Sequence, residues 1–346
     1  MTLNIEIINP LVYQNWDDLT KSTEACSIFH STAWARVLYD SYGYKPLYFT
    51  VIHDNELSVL VPLMEINSFF TGRRGVSLPF SDYCEPIIKD NSKVEEVLDY
   101  IFNYGKKAGW KSVELRPAKT MPEHLPHASF YNRHTLNLSE DEQNIYSNFR
   151  NSTKRNIKKA VKTGVTVKIC HSLDSIKEYY RLHNLTRKKH GVPPQPFYFF
   201  NNIFRHIIGK NLGIVLLAYH KKNCIAGNVY FHYNKNAFYK YGASDLQYQN
   251  LRASNLVMWE AIKYYGQNNF QHFCFGRTEP ENKGLLQFKN GWGAEETVIK
   301  YFKYDLKRNE YVKEESSNQA NNNRLISHLP YPLLKIIGQI FYKHIG

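Results

Sequence analysis

Apolar residues recur along the chain in an order of elements that occurs twice. In the first half, the helical pattern STAWARVLYDSYG precedes two alternating strands around a polar turn, from Leu47 to Leu63. In the second half, the helical pattern PFYFFNNIFRHIIG precedes a similar pair of strands, from Ile214 to Phe231. A histidine stands just before each turn, His53 in one copy and His220 in the other. The pattern predicts two hairpins in equivalent positions.

The segments after the two hairpins continue the parallel. VSLPFSDY, from Val76 to Tyr83, corresponds to YKYGASDLQY, from Tyr239 to Tyr248, and each is predicted as a strand. Each is followed by a helical pattern and then by a further strand, KSVELR or HFCFGR. The first helix has one apolar stripe (Val94, Val97, Leu98, Ile101), whereas the second is apolar almost all round (Leu256, Val257, Trp259, Ala261, Ile262). The repeated order favours a tandem duplicate of one α/β domain, with chance similarity between two α/β halves as the alternative.

A strongly basic segment separates the two halves. Ser139 and Glu142 have the spacing of a capping box, which predicts that a helix begins at Ser139. Its continuation contains six cations and no acid before Gly164: Arg150, Lys154, Arg155, Lys158, Lys159 and Lys162. A solvated face would explain such a run, but like charges four residues apart repel, so an anionic partner explains the clustering better.

A second basic group, Arg187 to Gly191, ends the next predicted helix. Cations at this end compensate the helix dipole, and Gly191 can supply a left-handed cap. Binding and local capping both remain open for this group.

Net charge and cysteine spacing narrow the class of protein. The 346 residues include 44 Lys and Arg against 31 Asp and Glu, and the formal charge of +13 attracts nucleic acid, anionic lipid or phosphorylated substrates. The five cysteines are far apart without CxxC spacing, so reduced cytoplasmic thiols are predicted and no disulfide framework or zinc site. Without an export signal or about 18 successive apolar residues, a soluble or peripheral protein is expected.

The composition of the last part of the chain changes at two points. After Lys307 the polar stretch NEYVKEESSNQANNNR is typical of a flexible linker. The final segment is apolar, and its predicted helix would place Leu333, Ile337, Ile340, Phe341 and His344 on one stripe with Lys335, Gln339 and Lys343 opposite. Packing on the body and lying on an anionic membrane surface are both compatible with this pattern.

Candidate chemistry is concentrated in FGRTEPENKGLLQFKNGWG, from Phe275 to Gly293. It has neither the GxxxxGK[ST] spacing of a phosphate loop nor the GxGxxG spacing of a dinucleotide fold. The chain also lacks a GxSxG elbow and an HExxH pair, which excludes the usual serine hydrolases and zinc proteases.

This segment resembles the block near the end of FemAB-like transferases, in which a strand ending in Gly-Arg-Ser or Gly-Arg-Thr is followed by a glycine, Phe-Lys and Trp-Gly. Four further segments are similar to the family's opening helix and strand, its basic central helix, the segment after it, and its penultimate helix and strand: FHSTAWARVLYDSYGYKPLYFTV, RNSTKRNIKKAVKTGVTV, LHNLTRKKHGVPPQPFYFF and SNLVMWEAIKYYGQNNFQHFCFGR. The resemblance runs from about Phe29 to Lys303.

The resemblance implies an α/β (α+β) fold of two tandem GNAT-like domains, which agrees with the duplication inferred from the pattern. We therefore predict a first domain over 1–135 and a second over 136–308, with the basic helix at 150–163. A polar linker and an amphipathic C-terminal tail are predicted over 309–346.

The resemblance also implies acyl transfer to an amine. FemAB members move an amino acid from aminoacyl-tRNA onto a peptidoglycan precursor, and relatives in exopolysaccharide gene contexts are regarded as N-acyltransferases. Two departures matter. The second half has no long helical hairpin of the staphylococcal kind, so tRNA would contact the body surface, and SDLQYQNLRASN lacks the glycine-rich pyrophosphate loop of ordinary GNAT enzymes. The second departure disfavours acetyl-CoA bound in the usual way.

The expected reaction needs positioning and a cation, because an uncharged amine attacks an ester or thioester carbonyl and charge develops on oxygen. Lys289 is predicted to lie near this oxyanion or near the donor's phosphate or ribose, and Phe288 to shape the channel. The alternative is a solvated lysine beside a core phenylalanine. Arg277 is expected to bind a phosphate or carboxylate. Asp245, Glu279 and Glu281 are the candidate bases, unless the substrate handles its own proton.

Substrate binding is predicted at Arg155, Lys158 and Arg187, as clamps for a diphosphate-bearing acceptor or a tRNA backbone, and at Tyr241 and Ser244. Trp34 is expected in the core. No tightly bound cofactor and no metal are predicted, and the donor would be aminoacyl-tRNA, acyl-CoA or an acyl carrier protein.

The expected partners are an anionic cell-envelope precursor, tRNA as a further candidate and the inner membrane through peripheral contact, but not DNA. The expected location is cytoplasmic, including the inner face of the membrane. Two other classes stay open. One is a non-catalytic binder of tRNA or anionic glycolipid on the same fold, and the other is a scaffold anchored by the tail.

Overall fold

The computed structural model describes residues 3–122, 124–313 and 329–346, which form two compact units. The first unit contains the described residues within 1–131, 298–317 and 340–346, and the second contains those within 132–297 and 318–339. The sequence-based boundary between 135 and 136 lies close to the first of these divisions. Residues 298–308 differ from the prediction, because they group with the first unit and not with the second.

Strands and helices alternate through both units. The strands, in chain order, are β1 (Glu6–Ile8), β2 (Lys45–His53), β3 (Glu56–Ser68), β4 (Gly72–Val76), β5 (Ile87–Ile88), β6 (Ser112–Leu115), β7 (Ser129–Asn137), β8 (Val165–Cys170), β9 (Gly213–His220), β10 (Asn223–Tyr233), β11 (Asn236–Ser244), β12 (His272–Thr278), β13 (Glu295–Asp305) and β14 (Glu310–Tyr311). The α-helices are α1 (Trp16–Lys21), α2 (Thr32–Tyr42), α3 (Val94–Lys107), α4 (Glu142–Ser147), α5 (Asn151–Lys162), α6 (Leu173–Lys189), α7 (Phe197–His206), α8 (Ala253–Gln267), α9 (Lys283–Asn290) and α10 (Tyr331–Phe341). Short 3-10 helices cover Ile28–His30, Asn91–Lys93, Ile208–Lys210, Leu246–Leu251 and Tyr342–His344.

The sheet of the first unit has the strand order β1-β2-β3-β4-β6-β13, with β5 paired to β3 and β14 paired to β13. All of its pairs are antiparallel except β4 with β6. The predicted hairpin is confirmed as β2 and β3, whose turn residues Asp54 and Asn55 both take positive φ, the conformation that suits a tight hairpin turn. The predicted stripe of α3 is also confirmed, because it packs into the apolar core of this unit.

The sheet of the second unit has the order β7-β12-β11-β10-β9-β8, and only β11 with β12 is parallel. The second predicted hairpin is confirmed as β9 and β10. Helix α8 is buried on most of its surface, as its all-round apolar sequence predicts, and it lies in the core with Trp292 and Phe275. Each unit thus contains a hairpin, a third strand, a helix and a strand parallel to the third, which is the repeat read from the sequence.

One predicted strand and one predicted linker differ from the structure. The strand expected from Val76 to Tyr83 is wrong beyond its first residue, since β4 ends at Val76 and both Leu78 and Phe80 take positive φ. The predicted linker after Lys307 is wrong at its start, because Glu310–Tyr311 form β14 on β13. Strand β13 also pairs with β6, from Phe302 opposite Leu115 to Asp305 opposite Ser112, which explains why this segment groups with the first unit. Residues 314–328 of the expected linker lie outside the described residues.

The helix expected from Ser139 is replaced by two shorter helices. Asp141 caps α4, because its carboxylate accepts hydrogen bonds from the Gln143 and Asn144 amides at 2.9 and 3.2 Å. Between α4 and α5 the chain turns so that Phe149 is buried, with its ring centroid 5.0 Å from that of Trp292. The predicted basic helix over 150–163 is observed as α5, with Arg150 and Thr163 as its flanking residues and Gly164 at positive φ beyond it.

Helix α10 packs through Leu334 and Gly338, which lie outside the predicted stripe, whereas the stripe residues Phe341, at its end, and His344, just beyond it, contact Phe70. Leu334 and Gly338 are buried, and a side chain at Gly338 would collide with the carbonyl oxygen of Pro194. Leu333, Ile336 and Ile340 are exposed, so the helix is apolar on its packed side and also on part of its solvent side. Among the described residues, no helix is both long and apolar enough to cross a membrane.

Two further local predictions are confirmed. Trp34 is buried in the core, with its ring centroid 5.4 Å from that of Phe29. Gly191 takes positive φ just after α6, as expected of a left-handed helix cap.

Helix α6 buries a histidine, and this makes stability depend on pH. His183 is enclosed by Tyr179, Tyr180 and Phe200, and burial lowers its pKa well below the ordinary value, with the charge of Arg187 lowering it further. The folded chain therefore keeps this imidazole neutral. The unfolded chain takes up a proton there as pH falls through about 6.5. Stability contributed by this group is present above that pH and is lost below it.

We expect the free energy of unfolding to fall between pH 7.5 and pH 5.5, and the fall to be smaller by about 1 kcal/mol in His183→Gln than in the wild type. Urea unfolding at the two pH values measures this difference. The exposed His171, changed to glutamine, is the matched control and should show the wild-type fall. An unchanged fall in His183→Gln would contradict the prediction.

Candidate functional site

The second unit contains a cleft of about 610 Å³. Its walls come from α5, from the end of β11 and the 3-10 helix after it, from the start of α8, and from α9. The lining residues are Arg150, Ser152, Thr153, Asn156, Ile225, Ser244, Asp245, Tyr248, Gln249, Arg252, Ala253, Ser254, Asn255, Gly284, Gln287 and Phe288. Most of these side chains are polar, so the cleft suits a polar ligand.

The cleft lies beside a place where the sheet opens. Strands β11 and β12 pair only through Asn236–Phe238 and His272–Cys274. Beyond that, β11 continues its ladder with β10, up to Ser244 opposite Ala226, while β12 continues with β7, at Arg277 opposite Arg133. The two parallel strands therefore part toward their carboxyl ends, and the cleft lies between the segments that follow them. Ligands of open α/β sheets commonly bind at such an edge.

Two helices begin at the cleft, and an arginine precedes each of them. Arg150 precedes α5 and Arg252 precedes α8, and neither end has a side-chain cap. The first amides of a helix lack partners within the helix and carry partial positive charge. Because two such ends and two arginines line one cleft, the site is suited to phosphate or another anion.

Arg252 takes a backbone conformation that is unfavourable for residues with a side chain. Its φ is 59° and its ψ is 28°, in the left-handed region where glycine is the usual residue. A non-glycine residue in this region costs of order 1 kcal/mol. An arginine at this position is easier to explain by its side chain in the cleft than by the turn itself.

The opposite wall is fixed by the segment after α9. Gly291 approaches α5 so closely that a side chain there would collide with the Thr153 hydroxyl, and its carbonyl oxygen accepts a hydrogen bond from the Arg150 amide at 3.0 Å. Trp292 is buried and packs edge-on to Phe288, with the ring centroids 5.7 Å apart. These contacts hold α9 against the start of α5, so Gly291 and Trp292 have a structural role.

Three of the predicted site residues line the cleft: Phe288, Asp245 and Ser244. The Asp245 carboxylate caps the following 3-10 helix, since its Oδ1 accepts a hydrogen bond from the Gln247 amide at 3.0 Å. The backbone of Ser244 is held by α6, because its amide donates to the Thr186 hydroxyl at 3.1 Å. Asp245 is thus half-exposed at the cleft with one oxygen occupied by the cap.

Lys289 does not line the cleft, in contrast to its predicted place beside the reacting atoms. Its side chain is 2% exposed, and its Nζ donates hydrogen bonds of 3.0 Å to the carbonyl oxygens of Gly276 and Arg277 at the end of β12. The alternative of a solvated lysine is wrong, because the side chain is buried. Its place outside the cleft has a geometric cause, since Phe288 and Lys289 are adjacent on α9 and point in different directions. The Lys289 side chain is therefore a buried cation that links α9 to β12. The predicted role beside the reacting atoms stays a prediction.

The other predicted residues are also outside the cleft walls. Arg277 is half-buried on β12, and Tyr241 is half-buried on β11, where its ring centroid lies 5.5 Å from that of Phe200. Arg155 and Lys158 are exposed on α5. The half-buried Arg187 donates to the Pro193 carbonyl oxygen at 3.4 Å, which fits the local alternative for that basic group. Their binding roles stay predictions.

Glu279 and Glu281 are exposed in the turn after β12 and likewise are not among the lining residues. Asp245 is therefore the carboxylate in the cleft. Among residues 3–122, 124–313 and 329–346, no group of three or more His, Cys, Asp or Glu side chains could hold a metal ion.

Sequence reasoning missed Arg252 and treated Arg150 as one member of a charge run. A signal for Arg150 was present, because it stands at the start of a helix, where a cation opposes the dipole and needs another explanation. Arg252 had no comparable signal, since its left-handed backbone is visible only in the structure.

Comparisons with known proteins show a domain family and several solved structures to which this chain is similar. Residues 147–290, which include all of the lining residues of the cleft, match the family model described as an acetyltransferase (GNAT) domain. The chain is similar in structure to FemX, with a TM-score of 0.66 at 13% identity, over 86% of this chain and 97% of that one. No curated protein matches the chain significantly in sequence.

Two further solved structures are similar. One is the C-terminal domain (DUF2156) of an Agrobacterium fabrum protein assigned as a lysylphosphatidylglycerol synthetase, with a TM-score of 0.56 at 9% identity, over 90% of this chain and 94% of that one. The other is a tandem GNAT protein from the clavulanic acid biosynthesis pathway, with a TM-score of 0.55 at 8% identity, over 88% and 99%. At these identities the similarity shows the fold alone.

Proposed function

Residues 147–290 match a GNAT domain and the fold is similar to that of FemX and a tandem GNAT protein, and from this premise we propose that the chain is a FemAB-like N-acyltransferase or aminoacyltransferase. In this proposal the second unit moves an activated acyl or aminoacyl group onto an amine of a cell-envelope precursor. The precursor would belong to peptidoglycan or to an exopolysaccharide.

The observation that carries the proposal is the cleft where two helix starts and two arginines converge. The donors under consideration, aminoacyl-tRNA and acyl-CoA, both carry phosphate groups, and an acyl carrier protein presents its acyl group through a phosphate as well. Arg150, Arg252 and the first amides of α5 and α8 would bind that phosphate. The donor's carbonyl would then lie toward the place where β11 and β12 part.

The chemistry requires that the acceptor amine is uncharged when it attacks the donor carbonyl. Nitrogen forms a bond to the carbonyl carbon, the bond to the donor's oxygen or sulfur breaks, and the amine loses a proton. Asp245 is the lining carboxylate that could take this proton, through its oxygen that the cap leaves unoccupied. Backbone amides and hydroxyl groups at the cleft would stabilise the developing oxyanion.

Two observations support the choice of acceptor. The chain has a net charge of +13, and its fold is similar to that of the domain from a lysylphosphatidylglycerol synthetase. An anionic acceptor of the cell envelope is consistent with both observations.

Obstruction of the cleft tests the proposal without assuming a particular donor. Gly284 lines the cleft on α9, and a Cβ atom added there would meet no atom within 4 Å, so a side chain can be introduced at this position without a collision at its base. We expect Gly284→Trp to reduce transfer from a labelled donor at least about tenfold, because the indole would fill the donor's place. Gly284→Ala is the matched control and should retain wild-type transfer.

The assay uses the full chain with aminoacyl-tRNA, acyl-CoA and acylated carrier protein in turn, and mass spectrometry detects acylated acceptor. Equal transfer by Gly284→Trp and the wild type would place the reaction elsewhere. Donor binding that is lost in Gly284→Trp, but without conversion of any donor, would favour the alternative of a tRNA- or glycolipid-binding protein.

A further inference from the structure

The turn between β3 and β4 exposes two adjacent aromatic side chains. Phe69 is 94% exposed and Phe70 is 59% exposed, and their rings contact each other edge-on with centroids 5.8 Å apart. Single exposed apolar side chains are common on protein surfaces, but two phenylalanines at the tip of a hairpin are not explained by the packing of the unit.

The residues from Ile340 to Gly346 are fastened to this turn by several hydrogen bonds. The guanidinium of Arg74 donates to the carbonyl oxygens of His344 and Gly346, at 2.8 and 3.1 Å. The His344 ring is hydrogen-bonded to the Ser68 hydroxyl at 3.0 Å, and the Thr71 hydroxyl donates to the His344 carbonyl oxygen at 3.4 Å. All of these residues belong to the first unit, so the turn and the segment after α10 form one local structure.

This fastening brings Phe69, Phe70 and Phe341 together, and Ile340 and Ile345 are exposed on the same terminal segment; we name these five side chains the aromatic patch. Phe70 stacks on Phe341 with the planes 12° apart, and the His344 ring contacts Phe70 edge-on, with the ring centroids 4.8 Å apart. Phe341, Ile340 and Ile345 are each about half-exposed, so the patch is apolar and open to solvent. A contiguous surface of this kind marks a binding site more often than an accident of packing.

Cations accompany the aromatic patch. Lys343 is exposed between Phe341 and Ile345 in the sequence, and the Lys111 side chain lies over Gly72, the first residue of β4. The acid Glu65 is occupied by Arg73 at 3.2 Å and by the Trp110 ring nitrogen at 2.6 Å, and Glu114 interacts electrostatically with Arg74. Lys343 and Lys111 are therefore the cations that would complement an anionic surface.

We propose that the aromatic patch docks this protein on an anionic phospholipid bilayer, with Phe69 and Phe70 inserted at the headgroup level and Lys343 and Lys111 on the lipid phosphates. Aromatic rings next to lysines suit this boundary, because the rings bury where headgroups meet acyl chains while the ammonium groups stay in water. The phenylalanines project from the tip of a turn, which suits insertion into a fluid surface. The proposal does not depend on the function assigned to the cleft.

Vesicle co-sedimentation of the full chain tests the proposal. We expect binding to vesicles that contain phosphatidylglycerol, weaker binding to phosphatidylcholine vesicles, and at least about tenfold weaker binding by the double variant Phe69→Ser, Phe70→Ser. Phe130→Ser is the matched control, since Phe130 is an exposed phenylalanine outside the patch, and it should bind like the wild type. Gly284→Trp should also bind vesicles normally, which separates this test from that of the cleft.

Light scattering supplies the second readout. We expect the wild type and the double variant to have the same molar mass in solution. A wild-type dimer that the double variant dissociates would overturn the proposal, because a second copy of the chain would then cover the patch. Equal vesicle binding by the wild type and the double variant would overturn it as well.

Discussion

The double variant Arg150→Gln, Arg252→Gly is expected to bind a phosphate-bearing donor at least about 100-fold more weakly than the wild type. A hydrogen bond to a charged group contributes about 1.5 to 3 kcal/mol, and a tenfold change in affinity corresponds to about 1.4 kcal/mol. Both arginines line the cleft at the start of a helix. Glycine is chosen at 252 because it suits the positive φ of that residue.

Titration with acyl-CoA or aminoacyl-tRNA, at one fixed salt concentration, measures the change. Lys162→Gln is the matched control, because Lys162 is exposed at the far end of α5 and does not line the cleft. It should change affinity by less than about threefold, since exposed charges at a distance are screened. If both variants weakened binding equally, diffuse charge on α5 and not the cleft would account for the affinity.

Replacement of Lys289 by alanine is expected to lower the free energy of unfolding by about 3 kcal/mol. The change leaves two buried carbonyl oxygens, those of Gly276 and Arg277, without their donor and also opens a cavity beneath α9. Urea unfolding monitored by tryptophan fluorescence measures the loss, and Trp292 lies three residues from the substitution. Lys283→Ala, at the exposed start of the same helix, should change stability by less than about 0.5 kcal/mol.

This experiment also decides between two roles for Lys289. The sequence resemblance predicted a cation beside the reacting carbonyl, and such a residue could be replaced with loss of transfer but little loss of stability. The buried contacts predict the reverse order of effects. A Lys289→Ala variant that is as stable as the wild type but inactive would support the predicted catalytic role and contradict the structural one.

Hydrophobic periodicity predicted the fold well, because the burial of one side of a helix or strand requires apolar residues at regular positions in the local sequence. The stripe on α3 and the all-round apolar sequence of α8 reflect how many sides of each helix are covered, and both were readable before the structure. The hairpins followed from alternation and polar turn residues. Helix boundaries were less predictable. Several residues near the start of a helix can cap it, and in α4 the cap is Asp141. The break between α4 and α5 accompanies the packing of Phe149 against Trp292.

The candidate site was predicted only in part. Phe288, Asp245 and Ser244 were selected and do line the cleft, whereas the adjacent Lys289 points into the interior. Neighbouring residues on a helix face directions about 100° apart, so a motif that contains both says nothing about which one faces a ligand. The packed face of α10 was equally unpredictable from the sequence, because apolar residues occur on two sides of this helix. Only the contact of Gly338 with Pro194 shows which side packs.

The sequence by itself determined that the chain forms two similar α/β units, that it is strongly basic, and that α5 is a cationic helix, because these properties depend on periodicity and composition. Only the tertiary structure decided that β11 and β12 part, that Arg150 and Arg252 meet across one cleft, and that Lys289 is buried. Those facts depend on which distant segments pack together and on single backbone angles. Local sequence patterns do not carry that information, because many long-range contacts jointly fix it.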